Sequence, residues 1–146
     1  MLVDTLQAAF AGYTAFAPRG WTPPPPLLDR ARIEDRLPRE DAWCVIAEEA
    51  GRPAGHVALL EEAPDLAYLW MLFVREPWWG TGLAVRLHAM VVAEAKDRGY
   101  AAMRLVTPAA HARARAFYER EGWSTDGREE MDLMFGLELV EYRRPL

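Results

Sequence analysis

AYLWMLFVREPWWGTGLA, residues 67–84, decides how this chain is read. An apolar run, AYLWMLFV, gives way to Pro77-Trp78-Trp79-Gly80-Thr81-Gly82-Leu83-Ala84, and an amphipathic run, VRLHAMVVAEAKDRGY, follows at once. The first run predicts a central strand covered on both faces. The spacing of Leu83, Leu87, Met90, Val91 and Ala95 predicts a helix with one apolar side, stopped at Gly99. Two glycines where a strand hands over to a helix mean that backbone must come close to something, or take an angle other residues resist.

Working outward from that junction, the residues before it read as a hairpin, AWCVIAEEA and AGHVALLEE joined by Ala50-Gly51-Arg52-Pro53. Upstream, Leu6, Phe10, Tyr13 and Ala17 recur at helical intervals with Asp4 as a cap. The prolines of APRGWTPPPP stop that helix, and Leu28, Ile33 and Leu37 mark a second, shorter one. Downstream, AMRLVT predicts a strand, HARARAFYEREG a helix ended by Gly122, and LELVEYRR a closing strand paired with something near Trp123 to Arg128. The predicted order is α-α-β-β-β-α-β-α-β-β, a mixed α/β layer fold in a single domain spanning residues 1–146.

Composition narrows the partners. With 146 residues and 51% hydrophobic content the chain can bury a proper core. A formal charge of −5 and a pI near 5.2 argue against nucleic acid or an anionic membrane as a general partner. Sixteen of the seventeen basic residues are Arg, which is read as codon bias rather than phosphate recognition. One cysteine, Cys44, excludes an internal disulfide, and no signal-peptide pattern or membrane-length apolar run is found, so a cytoplasmic protein is expected.

Four readings of the glycine junction compete. A P-loop needs a Lys after the glycines and there is none; a dinucleotide fingerprint needs Gly or Ala at Val85 and an acid after the next strand, and has neither. A plain tight turn remains, beside an anion site in which N–H groups of residues 80 to 85 face a pyrophosphate.

The second half of the chain bears on that choice. The pattern P-x-x-G-x-G-x-A after LFV, a helix ending RGY, a strand, and then His111-x-x-Ala114-x-x-Phe117-Tyr118-x-x-x-Gly122-Trp123 together resemble the GNAT family of acetyl-CoA-dependent N-acetyltransferases. The likeness covers about residues 42 to 144. It implies a mostly antiparallel central sheet flanked by helices, with a bulged strand over AYLWMLFV that splays from the strand over AMRLVT. By that resemblance the pantetheine arm of acetyl-CoA lies in the gap against Leu72, Phe73 and Val74. Trp79, Gly80, Thr81, Gly82, Leu83, Ala84 and Val85 receive the pyrophosphate, and His111, Ala114 and Phe117 complete the cofactor site. Three departures stand out: Trp79 replaces a common Arg or Gln, His111 replaces a usual Asn, and the opening strand is very short or missing.

The resemblance also implies chemistry. Acetyl transfer to an amine needs a neutral nucleophile, a partner for the developing oxyanion and a proton for the thiolate. Tyr118 matches the family's proton donor, and a backbone N–H near Leu72 to Val74 is placed for the oxyanion. Where some members have a carboxylate base this chain has Tyr68, so Glu61, Glu62 and Asp65, just before the strand, are candidates, with His56 a further one. On the acceptor side stand Trp21, Tyr68 and Trp70, with Tyr13, Phe16, Met131 and Phe135 as further aromatic or apolar lining. Family members often pair as homodimers through their closing strands. The acceptor class stays open between small amines and peptides.

Other chemistries fail on the residues. The only serine, Ser124, lacks a nucleophile-elbow context, and three scattered histidines offer no zinc spacing, so no metal is expected. A domain that binds acyl-CoA without transferring it remains a second reading, because no base is evident.

Overall fold

A computed structural model describes residues 1–146. The order of elements is the expected one: α1 (Leu2–Gly12), α2 (Pro26–Arg36), β1 (Trp43–Glu49), β2 (Arg52–Ala63), β3 (Leu66–Val74), α3 (Leu83–Asp97), β4 (Ala102–Pro108), α4 (Ala112–Arg120), β5 (Glu129–Asp132) and β6 (Leu137–Pro145). The six strands form one sheet in the order β1-β2-β3-β4-β6-β5. Every pairing is antiparallel except β3 with β4. No helix is long and apolar enough to cross a membrane.

The helices cover the two faces of the sheet. On one face Leu83, Leu87, Val91 and Ala95 of α3 and Tyr118 of α4 pack with Val57, Leu59, Ala67, Leu69, Met103, Leu105, Val140 and Tyr142. On the other, Leu6 and Phe10 of α1 pack with Ala58, Met71 and Leu137, and Ile33 of α2 lies against them. The period-two alternation of β6 divides its side chains between these clusters, Leu137 and Leu139 on the α1 face and Val140 and Tyr142 on the α3 face. In β3 it does not: Leu69 belongs to the α3 face and Met71 to the α1 face, because an extra residue, Trp70, bulges where Leu59 pairs with Leu69 and Ala58 with Met71.

Helix α1 begins at Leu2, in line with an opening strand expected to be very short or missing. Several local expectations are corrected. Asp4 sits inside the first turn of α1, not at its cap, which is Met1. Pro26, the last of the four prolines, is the first residue of α2, where a missing N–H costs nothing. Leu28 is exposed, and the buried residue of that helix is Asp29. On α3, Met90 is exposed and His88 is buried in its stead, accepting from the Trp123 indole N–H at 2.9 Å. β6 pairs along its whole length with β4, and on its outer edge its partner is Glu129–Asp132, just beyond the stretch expected, with a single bridge from Ser124 to Arg143.

Candidate active site

The site begins where β3 and β4 part. They pair only from Leu66, Ala67 and Tyr68 to Ala102, Met103 and Arg104. Beyond Tyr68 the Trp70 bulge bends β3 away, and its edge toward β4 keeps backbone donors and acceptors with no strand to meet. Leu72, Phe73 and Val74 lie on that unpaired stretch. One of its acceptors, the Val74 carbonyl, takes the Trp79 indole N–H at 2.8 Å, which ties the glycine turn to the end of the strand.

The turn itself is built around two left-handed residues, Gly80 at φ 76° and Gly82 at φ 83°. A Cβ at either position would meet no atom within 4 Å, so it is the backbone angle and not crowding that demands glycine, and the space beside the turn is open. Thr81 is turned inward: its hydroxyl donates to the Trp78 carbonyl and accepts from the Leu83 N–H at 3.4 Å. Gly82 caps α3 with no side-chain bond, leaving the N-terminal end of a 15-residue helix facing that space. Unpaired amides and the helix dipole together make such an end a good anion site.

Helix α4 forms the opposite wall. His111 caps it, its Nδ1 accepting from the Ala114 N–H at 3.4 Å, which leaves Nε2 to carry the proton of the neutral ring. Burial, with Arg113 second, holds the His111 pKa below its ordinary value. Tyr118, 8% exposed, has its pKa pushed up by burial first and by the neighbouring Tyr13 phenol second.

Strand edge, turn and helix open on one cavity of about 610 Å³. Of the expected residues it is lined by Trp70, Leu72, Phe73, Val74, Trp79, Gly80, Gly82, Leu83, Ala84 and Val85, and from α4 and its cap by His111, Ala114, Phe117 and Tyr118. Thr81, occupied within the turn, is absent from the lining. The lining also contains no Asp, Glu, Ser or Cys.

The candidate bases stand elsewhere. Glu61 pairs with Ala67 at the closed end of the β3–β4 pair and accepts the Tyr100 hydroxyl at 3.1 Å. Glu62 takes the Arg104 guanidinium at 3.3 Å. Neither lines this cavity or the smaller pocket beside it, and neither does His56, which is 1% exposed beside Phe73 with its pKa pushed down to about 4 by burial. Trp21 donates its indole N–H to the Phe135 carbonyl at 2.7 Å and stacks on Tyr13, serving as lid packing behind the cavity wall.

A smaller pocket of about 90 Å³ adjoins the first, sharing Tyr13, Trp70, Phe73, Val106 and Pro108 with it. Tyr68, Phe135, Asp29 and Arg32 line it as well. Sequence reasoning missed Asp29 and Arg32, and also Arg113 and Arg120, which stand at the larger cavity seven residues apart on one face of α4. The signal was there in HARARAFYER, where the arginines were put down to composition.

The sequence matches the profile described as Acetyltransferase (GNAT) family over residues 6–123. No curated protein matches the chain. Among solved structures, an acetyltransferase from Streptococcus agalactiae is 21% identical with a TM-score of 0.78, the match covering 99% of this chain and 89% of that one. The paia N-acetyltransferase from Thermoplasma acidophilum, in complex with coenzyme A, is 14% identical with a TM-score of 0.70, covering 99% and 92%. A GNAT family acetyltransferase from Elizabethkingia anophelis with acetyl-CoA bound is 13% identical with a TM-score of 0.66, covering 80% and 83%. At these identities the structural likeness is one of fold.

Proposed function

We propose, because the chain belongs to the acetyltransferase (GNAT) family, that it transfers an acetyl group from acetyl-CoA to a primary amine of a small molecule or peptide, by direct attack in a ternary complex. One observation carries the reading: the unpaired edge of β3, the left-handed glycine turn and the Tyr118 phenol converge on one cavity. The open space before Gly80 and Gly82 suits the pyrophosphate, and the gap between β3 and β4 suits a strand-like arm that pairs with backbone.

Acetyl-CoA brings an activated thioester; the chain's residues orient it and handle charge and protons. The bond formed is N–C, the bond broken C–S, and one amine proton ends on sulfur. In this reading a backbone N–H of Leu72–Val74 meets the negative charge growing on the carbonyl oxygen. Tyr118 donates toward the sulfur. Burial that raises its pKa makes it a weaker acid, yet the same dry surroundings raise the pKa of the departing thiol, so the transfer stays close to balanced. With no carboxylate in the lining, the amine reaches the site neutral or yields its proton to water.

That missing carboxylate favours one alternative, a domain that binds acyl-CoA without transferring it. A panel of amines offered with acetyl-CoA separates the two. Turnover that is lost in Tyr118→Phe supports the enzyme, and tight acetyl-CoA binding with no turnover of any amine supports the alternative.

A further inference from the structure

Three side-chain polar atoms in this protein are buried without a hydrogen-bond partner, and two of them belong to neighbouring guanidiniums: Arg32 Nε and Arg36 Nη1. Both residues lie on α2, one turn apart and so on one face. Arg32 stacks over the Phe135 ring, its central carbon 5.4 Å from the centroid, and Arg36 over Trp70 at 5.0 Å. Arg32 and both rings border the adjoining cavities. Burial and the repulsion of Arg36 lower the pKa of Arg32, the mark of two cations held together in poor solvent.

A chain with 22 acidic against 17 basic residues has carboxylates to spare, yet none of its ion pairs includes Arg32 or Arg36. The nearby acids are engaged otherwise. Asp29 Oδ2 accepts from Gln7 at 2.7 Å. Asp132 Oδ1 accepts the Met134 and Phe135 N–H groups at 3.0 and 2.9 Å. Glu62 and Glu141 both hold Arg104, whose guanidinium lies over Tyr68. The small pocket thus has one half-buried guanidinium in its lining, Arg32, with a second, Arg36, one turn further along α2 over the Trp70 ring, and each keeps a buried N–H that no protein atom accepts, the arrangement that suits a planar carboxylate.

We propose that Arg32 and Arg36 form an anion subsite for the acceptor, so that the amine this protein acetylates also carries a carboxylate. The pocket of about 90 Å³ is well below the size that encloses a whole small ligand, so it takes one end of the acceptor. Through Trp70, Tyr13 and Phe73, shared by both cavities, the other end reaches the space before Tyr118. Selection of the acceptor rests on the acetyltransferase reading; the binding of a carboxylate does not.

The test compares an aromatic amino acid with its carboxamide and its decarboxylated amine as acceptors, and with a peptide bearing the same residue at its N-terminus and an acidic second residue. The wild-type protein should favour the free acid over amide and amine by about ten- to a hundredfold in kcat/KM. Preference for the acidic peptide instead assigns the carboxylate to a peptide side chain. In Arg32→Gln and Arg36→Gln the preference should collapse while turnover of the neutral amine and acetyl-CoA affinity persist. Equal turnover of acid and amide by the wild type, or an undiminished preference in both variants, overturns the subsite and leaves the arginines as stacking supports. Should no amine be acetylated, thermal-shift titration with phenylacetate and phenylacetamide decides independently. Stabilisation by the acid alone, lost in the variants, upholds the subsite, and no difference between the two overturns it.

Discussion

Arg113 holds its guanidinium 3.8 Å from the centroid of the Trp79 indole. That stack places a cation from α4 over the glycine turn, at the position where the family commonly carries Arg or Gln on the turn itself. Trp79 is then a shelf, fixed by its bond to the Val74 carbonyl, and Arg113 the charge it presents. Arg113→Ala should weaken acetyl-CoA binding roughly tenfold, more at low salt than at high. Acetyl-pantetheine, which has no phosphates, should be unaffected. Calorimetric titration of both ligands checks this, and equal losses for the two would remove Arg113 from the phosphate side.

With Tyr118 as the proposed proton donor, the pH profile should have a single limb. The Tyr118 pKa lies above the ordinary phenol value of about 10, so it stays protonated through the whole working range. The profile of kcat/KM should therefore rise as the acceptor's own ammonium deprotonates and then stay level to about pH 10. Tyr118→Phe should cut kcat by roughly a hundredfold and leave acetyl-CoA affinity nearly unchanged. A falling alkaline limb near pH 8 to 9, or an unchanged kcat in the variant, would count against a proton-donating phenol.

Burial of His56 should make the fold acid-sensitive. In the folded protein its pKa is pushed down to about 4 by burial first, with Arg75 next, against about 6.5 in the unfolded chain. Above pH 6.5 both states are neutral and nothing is lost. As pH falls through that window the unfolded chain binds a proton that the folded one refuses, so stability drops by about 3 kcal/mol by pH 4. His56→Phe, beside the Phe73 ring, should flatten this part of a urea-denaturation profile. An unchanged slope would mean that the ring titrates normally in the fold.

The order of elements was legible because punctuation marks it: the proline tract, the hairpin turn, and Gly99 and Gly122 after their helices. The glycine turn was legible for a related reason, since Gly80 and Gly82 announce an angle that only a special backbone needs. The Trp70 bulge was not. AYLWMLFV is apolar at nearly every position, so a one-residue change of face leaves no trace in its pattern. Glu61 and Glu62 were nominated for being near the strand in sequence, yet the strands part at the far end from them. The Asp29, Arg32 and Arg36 cluster was hidden because charges on LLDRARIEDR read as a solvated face, whereas α2 turns them toward Trp70 and Phe135. Burial of a polar residue depends on tertiary partners that periodicity cannot supply.

The central claim is that the glycine turn and the parted strands hold acetyl-CoA. Calorimetric titration of the wild-type chain with acetyl-CoA, with coenzyme A for comparison, tests it most directly, and Gly82→Glu serves as the site control. That substitution puts a side chain at a φ of 83° and a carboxylate at the anion site. Micromolar binding by the wild type, abolished in Gly82→Glu while the fold survives by circular dichroism, is the predicted result; no binding by the wild type would contradict the account.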